Sequence, residues 1–258
     1  DWRPVHELAW QASFDVGALG NPLNLAVIRN AELMGRTTRR LVIILALTTT
    51  VLSAQTAERK TYADPARFDA AIAAFETADS LAPPPAGSIV CTGSSSMRGW
   101  HKRLAADLAP LTLIPRGFGG SNYYDLLHHA DRVILAYEPR AVLLYSGDND
   151  VAAGIPAAQI HETFMALVTR LRGRLPALRI YVIGAKPSIA RWKIWPQMIE
   201  ANALIRAACE TDFALIYIDV STGMLQADGT PRPEIFREGA LHQNDLGYDA
   251  WAQIDGPV

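Results

Sequence analysis

Five short apolar runs, at 89–92, 111–114, 141–145, 180–183 and 215–218, alternate with segments of helical periodicity, and this alternation limits the fold more than any other feature of the chain. A half-exposed strand alternates apolar and polar residues, whereas a strand apolar at both sets of positions is buried on both faces. Such strands belong to a parallel sheet with helices on each side, because a parallel connection needs a crossover. Helices are predicted at 97–108, 123–137, 157–172, 197–211 and 245–254, after an alanine-rich helix at 65–79 that Pro83, Pro84 and Pro85 stop. The expected architecture is one three-layer α/β/α sandwich around a five-stranded parallel sheet. Ligands of such sheets bind beyond the carboxyl ends of the strands, where the strand order reverses. The residues that follow each run are therefore the candidates for chemistry.

The net charge of −2 leaves no basic field to hold nucleic acid, and a small neutral or weakly charged substrate fits better. The two cysteines, Cys91 and Cys209, show neither metal-ligand spacing nor a disulfide framework and are expected to be buried thiols. The first sixty residues differ from the rest. From Met34 the chain reads MGRTTRRLVIILALTTTVLSAQT, three arginines followed by an apolar stretch and then small residues, which is the layout of a secretory signal peptide. The apolar stretch is about a dozen residues, short of the roughly 20 that a membrane-spanning helix needs. Residues 34–54 are therefore expected to be a cleaved export signal rather than a stable membrane anchor, directing the protein to the periplasm or outside the cell. Residues 1–33, upstream of Met34, are expected to be an extension without function.

Four strand ends carry chemistry-bearing residues. The first run leads into Gly93-Ser94-Ser95-Ser96-Met97 at the start of a helix, where a serine hydroxyl is exposed and free N–H groups face a developing oxyanion. Taken alone, this stretch reads equally as a helix cap. It lacks the second glycine of G-x-S-x-G and contains no phosphate loop. The second run leads into Arg116-Gly117-Phe118-Gly119-Gly120-Ser121-Asn122, whose glycines let backbone N–H groups approach a ligand closely. The third ends in Gly147-Asp148-Asn149-Asp150, an amide between two carboxylates; no further carboxylate or histidine lies at ligand spacing, so no metal is expected. Near the C-terminus His242 sits in a loop just before a helix, within reach of an active site, and of the six histidines only this one has such framing.

Together the four stretches resemble, in order and spacing, the four blocks of the SGNH (GDSL-like) hydrolase family: GSSSMRGW, RGFGGSN, GDND and LHQNDLGYDAW. The similarity takes in Lys186-Pro187-Ser188-Ile189-Ala190-Arg191, which is like a stretch of the bacterial GSSS-type branch. The resemblance implies that residues 60–258 form an SGNH hydrolase domain of flavodoxin-like fold. By the same resemblance Ser95 is the nucleophile and His242 the general base. Ser95 and Gly120 supply oxyanion-hole N–H groups, Asn149 supplies its amide, and no cofactor takes part. His242 would take the Ser95 proton during attack on an ester carbonyl, and an acyl-enzyme would form.

One position departs from the family. The aspartate of the usual D-x-x-H is replaced by Gly239. Three arrangements remain open: Glu238 as the third triad member, a Ser-His dyad oriented by a backbone carbonyl, and a weakened or inactive hydrolase. The resulting expectation is a serine carboxylic-ester hydrolase acting on short-chain acyl esters, with a small molecule or a carbohydrate acetyl ester as substrate. Two other classes stay in view. One is an acyltransferase to a sugar hydroxyl; the other is a carbohydrate-binding SGNH scaffold with Trp100, Trp192 and Trp195 stacking on sugar rings.

Overall fold

The computed structural model describes residues 58–254. The chain divides into two units, Asp1–Thr56 and Ala57–Val258; the expected extension at 1–33 and export signal at 34–54 lie outside the described residues. Five strands, β1 (Ile89–Gly93), β2 (Leu113–Gly117), β3 (Ala141–Tyr145), β4 (Arg179–Ile183) and β5 (Leu215–Ile218), form one parallel sheet in the order β2-β1-β3-β4-β5. Gly93 pairs with Gly117 on one side and with Tyr145 on the other, so β1, β2 and β3 end in line. The chain moves outward from β1 to β2 and then crosses back to β3. The strand order thus reverses beside the end of β1, the place where such sheets open a ligand crevice.

The helices of the described residues are α1 (Asp69–Leu81), α2 (Ser95–Trp100), α3 (Leu104–Asp107), α4 (Tyr123–His128), α5 (Ala130–Val133), α6 (Asp148–Ala152), α7 (Ala157–Arg174), α8 (Trp195–Glu210) and α9 (Asp245–Ala252). None is long and apolar enough to cross a membrane. Alternate strand residues feed two separate cores. Val90, Val142, Leu144 and Val182 pack with Ile72, Leu126, Phe164 and Met198 from α1, α4, α7 and α8. Cys91, Leu143, Tyr145 and Ile183 pack on the other face with Met97, Leu104 and Trp251 from α2, α3 and α9. Each fully buried aliphatic side chain contributes about 1.5–3 kcal/mol, and this burial on both faces is what the wholly apolar runs encode. Cys91 and Cys209 are both free and buried.

The second strand and two of the helices differ most from the sequence expectation. The second strand begins at Leu113 and continues through Pro115 and Arg116 to Gly117. As an edge strand it tolerates proline, and the Arg116 guanidinium is neutralised by Asp79 and donates to the Tyr137 hydroxyl at 2.7 Å. The single helix expected at 97–108 is split into α2 and α3, because the chain turns at His101, whose Nε2 accepts the Gly117 N–H at 2.9 Å. The helix expected at 123–137 breaks at buried His129, whose Nε2 lies 3.0 Å from the Pro65 carbonyl oxygen.

Candidate active site

Ser95 stands at the first turn of α2, immediately after β1. The turn depends on Gly93: its φ is +134°, and a Cβ there would lie 1.9 Å from the Tyr145 carbonyl oxygen, so no other residue fits. The tight turn lets the Ser94 N–H donate to Tyr145 O at 3.0 Å and buries Ser94. Ser95 is left half-buried at the surface. As the first helical residue it has no intrahelical acceptor for its N–H.

Two neighbouring loops close around it. Gly120, with φ +90°, is exposed beyond β2, and its N–H donates to no acceptor among the described residues. Asn149 lies in α6, beyond β3, where the sequence reading had allowed for a turn. Its Nδ2 donates to the Ser121 carbonyl at 2.9 Å, which brings the Gly120 loop and the Asn149 amide together beside the end of β1. That bond uses one of the two Nδ2 hydrogens and leaves the second free. The amide is held from its other end by the Arg191 guanidinium, whose Nη2 donates to Asn149 Oδ1 at 2.8 Å and whose Nη1 pairs with Asp148 at 2.9 Å. The Ser94 hydroxyl in turn lies 3.5 Å from Asp148 Oδ1, tying α6 to the serine turn.

His242 arrives from the far end of the chain. Phe236 and Gln243 form an isolated bridge, and within it the Arg237 N–H donates to His242 O at 2.9 Å. The Ala240 N–H returns to Arg237 O at 2.9 Å, closing a turn in which Gly239 has φ +82°. That is the positive φ a type II turn requires at this position, so the glycine found where the family carries aspartate also makes the loop tight. The result is a direct contact: His242 Nε2 lies 2.9 Å from Ser95 Oγ. The imidazole is held below the usual histidine pKa, first by burial, then by the cations Lys186, Arg191 and Arg237, with Asp148 acting in the opposite sense. A base in this state is neutral and ready to accept a proton at neutral pH.

Glu238 does not join this group. Its side chain is exposed and makes no hydrogen bond to His242 or to any other described residue; the turn that carries Gly239 sends it to solvent. His242 Nδ1 likewise has no partner among the described residues. Glu238→Gln is accordingly expected to keep kcat within about threefold of the parent, well short of the 1.4 kcal/mol that a tenfold change represents. A loss of several orders of magnitude in steady-state ester hydrolysis would instead give Glu238 the triad role.

Asp148, Arg191, Lys186 and His101 were not assigned roles from the sequence, although GDND and the Lys186–Arg191 stretch were noticed. No pattern links Arg191 to residues more than forty positions earlier; only folding does. Trp100 is core, stacked on Tyr248 at 5.9 Å and crossing Trp251 at 5.6 Å, and is not available to a sugar. Trp195 is also buried, and half-exposed Trp192 stacks on it. An apolar groove of about 510 Å³ lies against one face of the sheet, past Ile89, Leu143, Tyr181, Ile218 and Trp251, and neither Ser95 nor His242 lines it. Among the described residues no group of three His, Cys, Asp or Glu side chains is placed to hold a metal ion.

A serine hydroxyl in contact with an imidazole, beside N–H donors beyond three parallel strands, is an arrangement suited to acyl transfer. The model of the GDSL-like lipase/acylhydrolase family matches residues 79–250, well over half of the chain. The chain belongs to the GDSL-like lipase/acylhydrolase family. It is thereby a carboxylic-ester hydrolase. No curated protein matches this acylhydrolase in sequence. Solved structures do resemble it. A GDSL-like lipase from Bacteroides thetaiotaomicron aligns with TM-score 0.60 at 17% identity, over 71% of this chain and 94% of its own. A catalytic mutant of an acetylxylan esterase from Geobacillus stearothermophilus aligns with TM-score 0.55 at 14% identity, over 66% of this chain and 93% of its own. At these identities the likeness is one of fold.

Proposed function

We propose that this acylhydrolase is a serine esterase in which Ser95 and His242 act as a dyad on short-chain acyl esters, carbohydrate acetyl esters among them. The contact of 2.9 Å between Ser95 Oγ and His242 Nε2 carries this reading. His242 accepts the hydroxyl proton as Oγ bonds to the ester carbonyl carbon. The carbonyl electron pair moves onto oxygen, where the Ser95 and Gly120 N–H groups and the Asn149 amide receive it. Collapse of the tetrahedral species expels the alcohol, which takes the proton back from His242. Water then repeats the sequence on the acyl-enzyme and regenerates the hydroxyl.

Short acyl groups are favoured because the 510 Å³ apolar groove is lined by neither Ser95 nor His242. Fold likeness to an acetylxylan esterase adds carbohydrate acetyl esters to the candidates. Hydrolysis of p-nitrophenyl acetate, butyrate and octanoate, together with acetate release from acetylated xylo-oligosaccharides, tests both parts. Turnover is expected to fall from acetate to octanoate. A rise toward octanoate would overturn the short-chain part, and no turnover of any ester would overturn the whole.

Export belongs to the same proposal and rests on the Met34 to Ala54 pattern. A chain beginning at Gln55 is expected to be soluble, to unfold cooperatively, and to match the full chain in kcat/KM. Misfolding of that shorter chain would assign the apolar stretch to the folded domain and remove the export reading.

A further inference from the structure

Lys186 lies just beyond β4, 1% exposed, and no carboxylate pairs with it among the described residues. Its Nζ donates to the Leu241 carbonyl at 2.6 Å, the peptide directly before His242, and sits 5.7 Å from the Phe236 ring centroid. Burying an ammonium against one carbonyl is costly, and an apolar side chain of similar length would suit a core better. The charge therefore has to be explained by what it does to its neighbours. We propose that Lys186 is a positioning residue for the base: it grips the Leu241 carbonyl and, as a cation beside the imidazole, holds His242 neutral and in register with Ser95. This rests on the dyad reading and deepens it, because it supplies an orienting group where Gly239 has replaced the family's aspartate.

The loop geometry supports the assignment. Residues 240–242 are tied to the segment after β4 at two points, by Lys186 Nζ to Leu241 O and by the Ala190 N–H to Ala240 O at 3.1 Å. Within the loop the Arg237 N–H closes on His242 O. With Nδ1 unpartnered among the described residues, the backbone on either side holds the ring in place. The charged groups that bear on His242 are Lys186, Arg191 and Arg237, against Asp148. Those bearing on Lys186 are Asp148 and Arg191; burial pulls its pKa down to about 8, so it remains a cation at neutral pH. An aspartate would orient the ring and favour imidazolium, whereas Lys186 orients the loop and opposes imidazolium. The base is weaker for it, but it stays unprotonated in more acidic solution.

The test compares pH profiles of kcat/KM for the parent, Lys186→Met, Lys186→Arg and Ser95→Ala. For Lys186→Met the acid limb is expected to move to higher pH, as a neighbouring cation is lost, and kcat to fall roughly 10- to 100-fold as the imidazole loses its alignment. Lys186→Arg, which keeps the charge and a donor, is expected to leave the acid limb in place. A folded Lys186→Met enzyme whose acid limb does not move would reduce Lys186 to a structural anchor and overturn the proposal. Survival of activity in Ser95→Ala would instead overturn the dyad, so the two failures are distinguishable. If Lys186→Met does not fold, an NMR titration of the His242 ring in the parent protein decides. A second inflection on the alkaline side, as Lys186 loses its proton, is expected; its absence across the whole titration would overturn the proposal.

Discussion

Ser95→Ala is expected to abolish ester hydrolysis while leaving the fold intact, with kcat falling on the order of 10⁶-fold, about 8 kcal/mol in the barrier, as in other serine hydrolases stripped of their nucleophile. The neighbouring serines cannot take over. Ser94 is fully buried, with its hydroxyl directed toward Asp148, and Ser96 is 1% exposed on the inner side of α2. Of the three serines, Ser95 is the one that hydrogen-bonds the imidazole. The stability cost is small, because Ser95 is half-buried and its side chain makes one hydrogen bond, worth about 0.5–1.5 kcal/mol. Steady-state hydrolysis of p-nitrophenyl acetate and a thermal melt of the same sample separate the two effects. Activity within about a hundredfold of the parent in a variant with an unchanged melt would move the nucleophile elsewhere and dissolve the proposed mechanism.

What the sequence made legible follows the physics of each element. The core of the sheet was readable because its strands are buried on both faces: β3 and β5 have the expected bounds, Ala141–Tyr145 and Leu215–Ile218, and β1 and β4 differ by a single residue at one end. The amphipathic helices α7 and α8 were readable for the same reason, since each buries one stripe. Misreadings came where a polar side chain is satisfied by a distant partner. The second apolar run is expected to end at Ile114, yet Asp79 and Tyr137 let Arg116 sit inside β2. His101 and His129 break helices to meet Gly117 and Pro65, contacts that no local pattern announces. Ser95, Gly120, Asn149 and His242 were visible as separate stretches because each occupies a strand end or a loop with unusual composition. Whether Glu238 reaches His242 is not legible in the sequence, because it depends on the turn at Gly239, whose φ of +82° goes with an exposed Glu238 side chain. The Arg191 and Lys186 contacts lay beyond reach, since both depend on where the segment after β4 comes to rest.

Asn149→Ala is expected to lower kcat by about a hundred- to a thousandfold, roughly 3–4 kcal/mol, with little change in KM. The amide is pinned at both ends before any substrate arrives, through Nδ2 on Ser121 O and through Oδ1 on Arg191. Its free N–H therefore has one direction available, and a donor fixed in this way gives most to the transition state, where negative charge develops on the carbonyl oxygen. Loss of the amide also removes two hydrogen bonds and leaves part of the Arg191 fork without its acceptor, so the alanine variant should lose about 1–3 kcal/mol of stability as well. Asn149→Asp separates the two consequences. A carboxylate still accepts from Arg191 and holds α6 against the segment after β4, but it has no N–H to offer an oxyanion. The aspartate variant should thus melt closer to the parent than the alanine variant and yet lose at least as much kcat. If kcat followed the melting temperature across the two variants, or if only KM moved, Asn149 would be a structural or substrate-binding residue, and the oxyanion would rest on the Ser95 and Gly120 N–H groups alone.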